Sequence, residues 1–316
     1  MNIGLHDAER EHRKSKPFPN LAIMKISAFH KAHGDCVEWW QSNKNYDWVY
    51  SSKVFDFTPD NPNLPAKTIR GGTGYNAKAN EKYMILSALP EKYNQMFPDY
   101  SLYPDYDFAL GYLTRGCPRN CPFCVVTQKE GNISRQVAKL TDFWAHQAYI
   151  KLLDPNILAC VDREQIIKSL ADSTAWIDFT QGLDVRLINK TIISLLNQVK
   201  IKTLYTAWDN PKEDLTKKFI FVKEHFKIKD YRRLKVYVLT NFNSSHIEDL
   251  ERVRILRDLG FDPYVMIYNK ETAPQITINL QRYVNNKIIF RSCIDFTAYK
   301  GDSKAGRYLL EGSMKP

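Results

Sequence analysis

Cysteine is scarce in this chain, six residues in 316, and so are long apolar runs. No window approaches eighteen consecutive apolar residues, so no membrane-spanning helix is expected. The first twenty residues, MNIGLHDAEREHRKSKPFPN, lack the apolar centre of a secretory signal. A cytoplasmic location is therefore expected, where clustered cysteines bind metals or act in catalysis more often than they form disulfides. Internal repeats and low-complexity tracts are missing. Dense basic tracts are missing too, although the formal net charge is +10 and the isoelectric point lies near 9.1. The basic residues are spread over EREHRKSK, KDYRRLK at 229–235 and ERVRILR at 251–257. A generally basic solvated surface and a polyanionic partner such as RNA both fit that distribution.

What is present is an ordinary globular composition, 44% hydrophobic and 25% charged. Residues 1–19 read as a polar mobile arm. Residues 20–105 read as a small N-terminal α/β extension followed by an irregular connector, because 58–105 are dense in Pro, Asn, Gly and Tyr. From 106 to 270, short apolar strand candidates alternate with amphipathic segments in a βα rhythm. The strands fall at 108–114, 149–154, 175–180, 203–208, 235–240 and 264–268. Between them, Ile133, Val137, Leu140 and Trp144 predict a helix over 133–144. Asp162 with Gln165 predicts a capped helix start, and Ile247, Leu250, Val253 and Leu256 predict the buried stripe of a helix that stops at Gly260. Residues 271–316 form a C-terminal extension, whose expected use is docking a helix. Six βα units of this kind predict an α/β fold, an incomplete parallel (β/α)6 barrel, with its chemistry at the carboxyl ends of the strands.

Three of the six cysteines crowd into one loop, TRGCPRNCPFCVV, as Cys117, Cys121 and Cys124. The loop directly follows the first barrel strand. Three thiolates from one loop can hold an inorganic centre and leave one coordination position open. A structural zinc and an all-cysteine [4Fe–4S] cluster each want four protein ligands, so either would need a remote fourth residue. Those two possibilities stay open on spacing alone.

The C-x3-C-x2-C loop resembles that of the radical S-adenosylmethionine (radical SAM) superfamily. The resemblance spans roughly residues 106–270. It implies that Cys117, Cys121 and Cys124 ligate three irons of a [4Fe–4S] cluster and that SAM chelates the fourth. It further implies reductive cleavage of SAM to a 5′-deoxyadenosyl radical that takes a hydrogen atom from substrate. The family places an aromatic residue before the third cysteine, near the adenine; here it is Phe123. An external electron donor, flavodoxin-like or ferredoxin-like, is implied as a partner. Relatives often carry a Gly-Gly-Glu-like segment at the end of strand 2. This chain reads LLDPNIL there, and Asp154 and Asn156 can accept hydrogen bonds from the SAM ammonium; an Asx turn before Pro155 accounts for them equally. After strand 3, Gln181, Asp184 and Arg186 crowd the strand end. Arg186 could hold the SAM carboxylate and Asp184 the ribose hydroxyls, or the two could form a structural ion pair. Asp209 follows strand 4. Asn241 and Asn243 follow strand 5, and Tyr268 and Asn269 follow strand 6. The reaction and its substrate, whether RNA, nucleotide or peptide, are not specified by these residues. The alternative function is a nucleic-acid-binding protein that a zinc or iron–sulfur loop merely stabilises.

The front end resembles the domains that precede the radical core in cobalamin-binding and methylthiotransferase relatives. Their Asp-x-His-x-x-Gly pattern is not met in SAFHKAHGD: His30 and Gly34 are present, but Ala28 and His33 stand where Asp and Gly belong. Only Cys36 is available where a second cluster would need three thiols. The segment 20–56 is expected to be too short for a complete five-stranded domain. RGGTGY at 70–75 reads as a turn, with a phosphate cradle as the weaker option.

Overall fold

The computed structural model describes residues 1–12, 18–76, 85–86 and 88–299. The chain divides into two compact units. Unit 1 comprises 1–107 and 141–145; unit 2 comprises 108–140 and 146–316.

Unit 1 is built on strands β1 (Asn2–Asp7), β2 (Cys36–Trp39), β3 (Trp48–Ser52), β4 (Ile69–Gly71) and β5 (Ile85–Leu86). All pair parallel, in the order β2-β1-β3-β4-β5. This is the strand order of flavodoxin-like doubly wound sheets. It corrects one expectation: residues 2–7 are a buried strand between β2 and β3 and not part of a mobile arm. Segment 20–56 supplies only β2 and β3, as its length predicts, and the five-stranded sheet is completed by β1, β4 and β5 outside it. The polar sequence around β1 hid it, because Ile3 and Leu5 are its main apolar side chains, and both are buried against Ile23, Ile26, Tyr50 and Tyr93. The last two strands lie inside the Pro- and Gly-rich stretch that reads as connector. Residues 13–17 of the expected arm lie outside the described residues.

The helices of unit 1 are α1 (Ala8–His12), α2 (Leu21–Ala32), α3 (Thr73–Asn76) and α4 (Glu91–Asn94). Asn20 caps α2 by accepting from the Ile23 amide. RGGTGY serves close packing: a Cβ on Gly72, whose φ is +99°, would stand 2.3 Å from the Lys53 carbonyl oxygen. At the carboxyl edge, buried Glu9 accepts hydrogen bonds from the amides of Val54 and Phe55 and from the Thr58 hydroxyl.

Unit 2 carries the six strands that the rhythm predicts: β6 (Phe108–Gly111), β9 (Tyr149–Leu152), β10 (Trp176–Phe179), β12 (Leu204–Ala207), β13 (Leu234–Thr240) and β14 (Asp262–Ile267). Three short strands complete the numbering: β7 (Thr114–Arg115), β8 (Arg135–Gln136) and β11 (Lys200–Ile201). The six long-range strands run parallel and follow one another in chain order. With short β11 added at one edge, they fall into two hydrogen-bonded groups, β11-β10-β9-β6 and β12-β13-β14. A single bridge between Leu183 and Thr206 joins the groups, so the described strands form parallel sheets and no closed barrel. One face of each strand is buried, as Ile150, Leu152, Ile177, Phe179, Leu204, Thr206, Val236 and Val238 show.

The helices of unit 2 are α5 (Val126–Glu130), α6 (Arg163–Asp172), α7 (Lys190–Leu196), α8 (Thr216–His225), α9 (His246–Asp258), α10 (Gln275–Asn285) and α11 (Lys287–Ser292). The predicted helix over 133–144 does not form. Arg135 and Gln136 pair antiparallel with Arg115 and Thr114, and the Val137 amide donates to the Leu113 carbonyl. Those backbone groups are spent on an extended arm, and Ile133 is 67% exposed. Helix α6 forms without the predicted side-chain cap from Asp162. Helix α9 has a full capping box between Ser245 and Glu248. Its buried face uses Asp249, Arg252, Val253 and Leu256, while Ile247 points to solvent. Leu280, Tyr283, Val284, Phe290 and Phe296 pack on Val253 and Val265, so residues 275–296 belong to the core of unit 2. Residues 300–316 of the expected extension lie outside the described residues.

Candidate functional site

The cysteine loop leaves the carboxyl end of β6 and is closed on itself. Gly116 has φ +88°, and a Cβ there would lie 2.1 Å from the Ile133 carbonyl oxygen. Only glycine lets the extended arm press against the loop. Glu130, at the end of α5, accepts from the Gly116 amide at 3.2 Å and from Arg115 Nη1 at 3.1 Å. The Cys117 amide donates to the Gly131 carbonyl, and the Cys124 amide to that of Cys121. All three thiols are half-buried. Burial, reinforced by Cys124, pushes the Cys121 thiol up, and Arg186 opposes that rise. Among the described residues, no three His, Cys, Asp or Glu side chains converge on a single metal-ion position.

Asp184 is the electrostatic hub beside the loop. Its carboxylate accepts from Arg119 Nε at 2.7 Å, from Arg186 Nε at 2.6 Å and from Asn156 Nδ2 at 3.3 Å. Burial alone would raise it, but the two guanidinium groups hold its carboxyl below the usual range. Arg186 is further held by Glu213 at 2.9 Å. The arrangement therefore brings Asp184 and Arg186 together as the ion pair that the sequence left open, with Arg119 and Glu213 added. Neither addition was visible in the sequence: Arg119 sits inside the cysteine loop, and Glu213 is one acidic residue in a polar loop.

Asn156 lies next to this hub. Its amide nitrogen also reaches Cys117 Sγ at 3.6 Å. Its side-chain oxygen is buried and has no hydrogen-bond partner. A buried acceptor left unmade costs about 1–3 kcal/mol, and no described group of the chain satisfies this one.

Asp154 does different work. Its carboxylate accepts from the Leu113 amide and from the Thr114 amide and hydroxyl, holding the backbone that enters the cysteine loop. Burial pushes its pKa up to about 6, against the pull of those donors. The folded chain thus binds this proton more tightly than the unfolded chain, so the carboxylate costs stability at neutral pH. That cost vanishes as pH falls through the window from about 6 to about 4. Relative to Asp154→Asn, the native chain should gain roughly 2–3 kcal/mol of unfolding free energy between pH 7 and pH 4. Urea titrations at the two pH values measure it; an unchanged difference would show an ordinary carboxyl.

Phe123 meets Phe242 edge to face at 5.3 Å, and Phe242 meets Tyr268 at 4.8 Å. The cysteine loop is thereby joined by aromatic rings to the ends of β13 and β14. Asn120, Asn241, Asn243 and Asn269 all have positive φ, between 45° and 62°. Asparagine tolerates that left-handed region better than other side chains. Asp209, at the end of β12, has its pKa raised by burial, opposed by Arg252 and Arg186. Gln181 faces solvent, and Gly182 beside it packs on the Tyr205 carbonyl.

The front-end residues are committed elsewhere. His30 is buried, with Nδ1 on Asp35 at 2.7 Å and Nε2 on the Tyr50 hydroxyl at 3.1 Å. Both ring nitrogens are in use, so the one histidine of the incomplete cobalamin pattern has no ring nitrogen left for a metal.

No family model and no curated protein matches this chain. Among solved structures it is similar to the radical S-adenosylmethionine methyltransferase TsrM from Kitasatospora setae with cobalamin and a [4Fe-4S] cluster bound. That similarity has a TM-score of 0.49 and 10% identity, covering 84% of this chain and 69% of the other. It is also similar to the same enzyme with tryptophan substrate and the SAM analogue aza-SAM bound, at TM-score 0.46 and 12% identity, covering 84% and 67%. With scores under 0.5, the function of this chain has to be argued from its own residues.

Proposed function

We propose that this chain is a radical SAM enzyme on an open (β/α)6 scaffold, with a [4Fe–4S] cluster held by Cys117, Cys121 and Cys124. One observation carries the reading. Three thiols lie in a glycine-clamped loop at the carboxyl end of the first of six parallel strands, beside a buried acceptor that lacks a donor. A structural zinc ion would need a fourth protein donor beside the loop, whereas a four-iron cluster held by three thiolates leaves one iron open.

When bound, the cluster and SAM would supply one-electron cleavage of a sulfonium C–S bond and hydrogen-atom abstraction. The chain's own residues prepare the surroundings. Asn156 Oδ1 offers an acceptor suited to an ammonium N–H. Arg119 and Arg186 are balanced by Asp184 and Glu213, and the pull of Arg186 on Cys121 offsets part of the rise that burial causes. Phe123 and Phe242 provide ring faces suited to a planar heterocycle.

The test is anaerobic reconstitution with iron and sulfide, followed by reduction with SAM. The expected result is about four irons per chain and formation of 5′-deoxyadenosine. Tight stoichiometric zinc without SAM cleavage would support the alternative, a metal-stabilised nucleic-acid-binding protein.

A further inference from the structure

The opposite edge of the unit 2 sheet carries a cavity unrelated to the cysteine loop. It measures about 350 Å³ and lies at the amino ends of β10, β11 and β13. Its lining includes Trp176, Lys200, Lys227, Lys229, Asp230 and Arg233. Four cations therefore face one carboxylate, and Asp230 is already paired with Arg232 at 2.9 Å. Helices α7 and α8 end nearby and contribute roughly half a negative charge each, which leaves the lining positive.

Three of the four cations are held in place. Lys227 Nζ donates to the carbonyls of Asn197 and Val199, and Lys229 Nζ to those of Lys223 and Glu224. Arg233 donates to the carbonyls of Lys202 and Ile201. An ammonium has three donors and a guanidinium five, so each group keeps at least one N–H for a ligand. Their partners are backbone carbonyls and not carboxylates, so the charges are offset only in part, by the helix ends already counted.

Aromatic surface continues from the cavity. Phe108, Tyr149, Trp176 and Lys200 are register partners across β6, β9, β10 and β11, so they share one sheet face. Tyr149 is 42% exposed and Trp176 39%. Two neighbouring exposed rings beside fixed cations match the requirements of a nucleic-acid strand whose bases are unstacked. A duplex keeps its bases stacked inside and cannot use the rings.

We propose that this edge is a binding site for single-stranded nucleic acid, with Trp176 and Tyr149 taking bases and Lys200, Lys227, Lys229 and Arg233 taking phosphates. It does not depend on the cluster chemistry. The test uses the full chain and labelled oligouridine and oligothymidine of about 12 nucleotides, read by fluorescence anisotropy over a salt series. Binding should weaken with salt at a log–log slope of about −2 to −3, the value for four phosphate contacts on a single strand. Lys200→Glu should weaken binding about tenfold and flatten the slope by roughly one. Trp176→Ala should cost about fivefold or more, and Trp176→Phe much less. Thermal unfolding of each variant confirms that it folds, and Lys200→Glu leaves every carbonyl contact above intact. Equal binding of the two oligomers supports a site for any single strand; preference for one names RNA or DNA as the source. No binding, binding indifferent to both Lys200→Glu and Trp176→Ala, or equal competition by duplex and by polyglutamate would overturn the proposal.

Discussion

Replacing Cys121 with alanine is expected to reduce bound iron from about four atoms per chain to about one or fewer, with complete loss of SAM cleavage. Cys121 is the middle cysteine of the loop, and on the proposed reading the two thiolates left could not hold three irons. The sulfur contributes little to folding, since it is half-buried in a Pro-rich loop whose shape is set by Gly116 and Glu130. Thermal unfolding of the metal-free chains should therefore differ by less than about 1 kcal/mol. Iron analysis, the visible absorption of the reconstituted protein and 5′-deoxyadenosine assay together check the result. Undiminished iron and cleavage in this variant would remove the thiol loop from the mechanism.

The second large effect belongs to Arg252. It lies almost completely inside unit 2 and ties α9 to the ends of two strands. Nη1 donates to the carbonyls of Trp208 and Asp209, at 2.6 and 3.1 Å, and Nη2 to that of Leu239 at 2.9 Å. Nη2 also pairs with buried Asp249 at 2.5 Å. Arg252→Met would strand the carboxylate and three carbonyls in the core. Breaking a buried pair from one side costs about 3–5 kcal/mol, equivalent to a melting shift of roughly 10 °C or more for a unit of this size. Adding Asp249→Leu should recover the share due to the stranded carboxylate and leave the share due to the carbonyls. Calorimetric or denaturant unfolding of the three proteins separates the two. An Arg252→Met protein as stable as the native chain would show that the guanidinium is not a structural tie.

The six long strands of unit 2 were legible because their apolar residues recur at intervals set by βα units, and the observed strands lie within a few residues of those read. The cysteine loop was legible from composition alone, since three thiols so close are rare in a chain so poor in them. Other features were decided by tertiary pairing. The stripe at Ile133, Val137 and Leu140 has helical spacing, yet the backbone there bonds to residues 113–115 and stays extended. β1 was hidden because two apolar side chains in a polar stretch carry no period. Ile247 keeps helical spacing but faces solvent, while Asp249 and Arg252 take buried positions, a pattern that polarity alone would reject. In the site, Arg186 and Asp184 are two positions apart and their pairing could be read, but the second partner, Glu213, is 27 positions from Arg186 and meets it only in space. No spacing rule encodes that meeting.

Glu9 has a wider consequence. In parallel sheets with this strand order, the crevice amides at the carboxyl edge are commonly finished by a ligand's anionic group. Here a side chain from the same polypeptide fills that role, on the amides of Val54 and Phe55. The first unit thus caps these two amides with its own carboxylate, so an anionic ligand arriving at this point would have to displace Glu9.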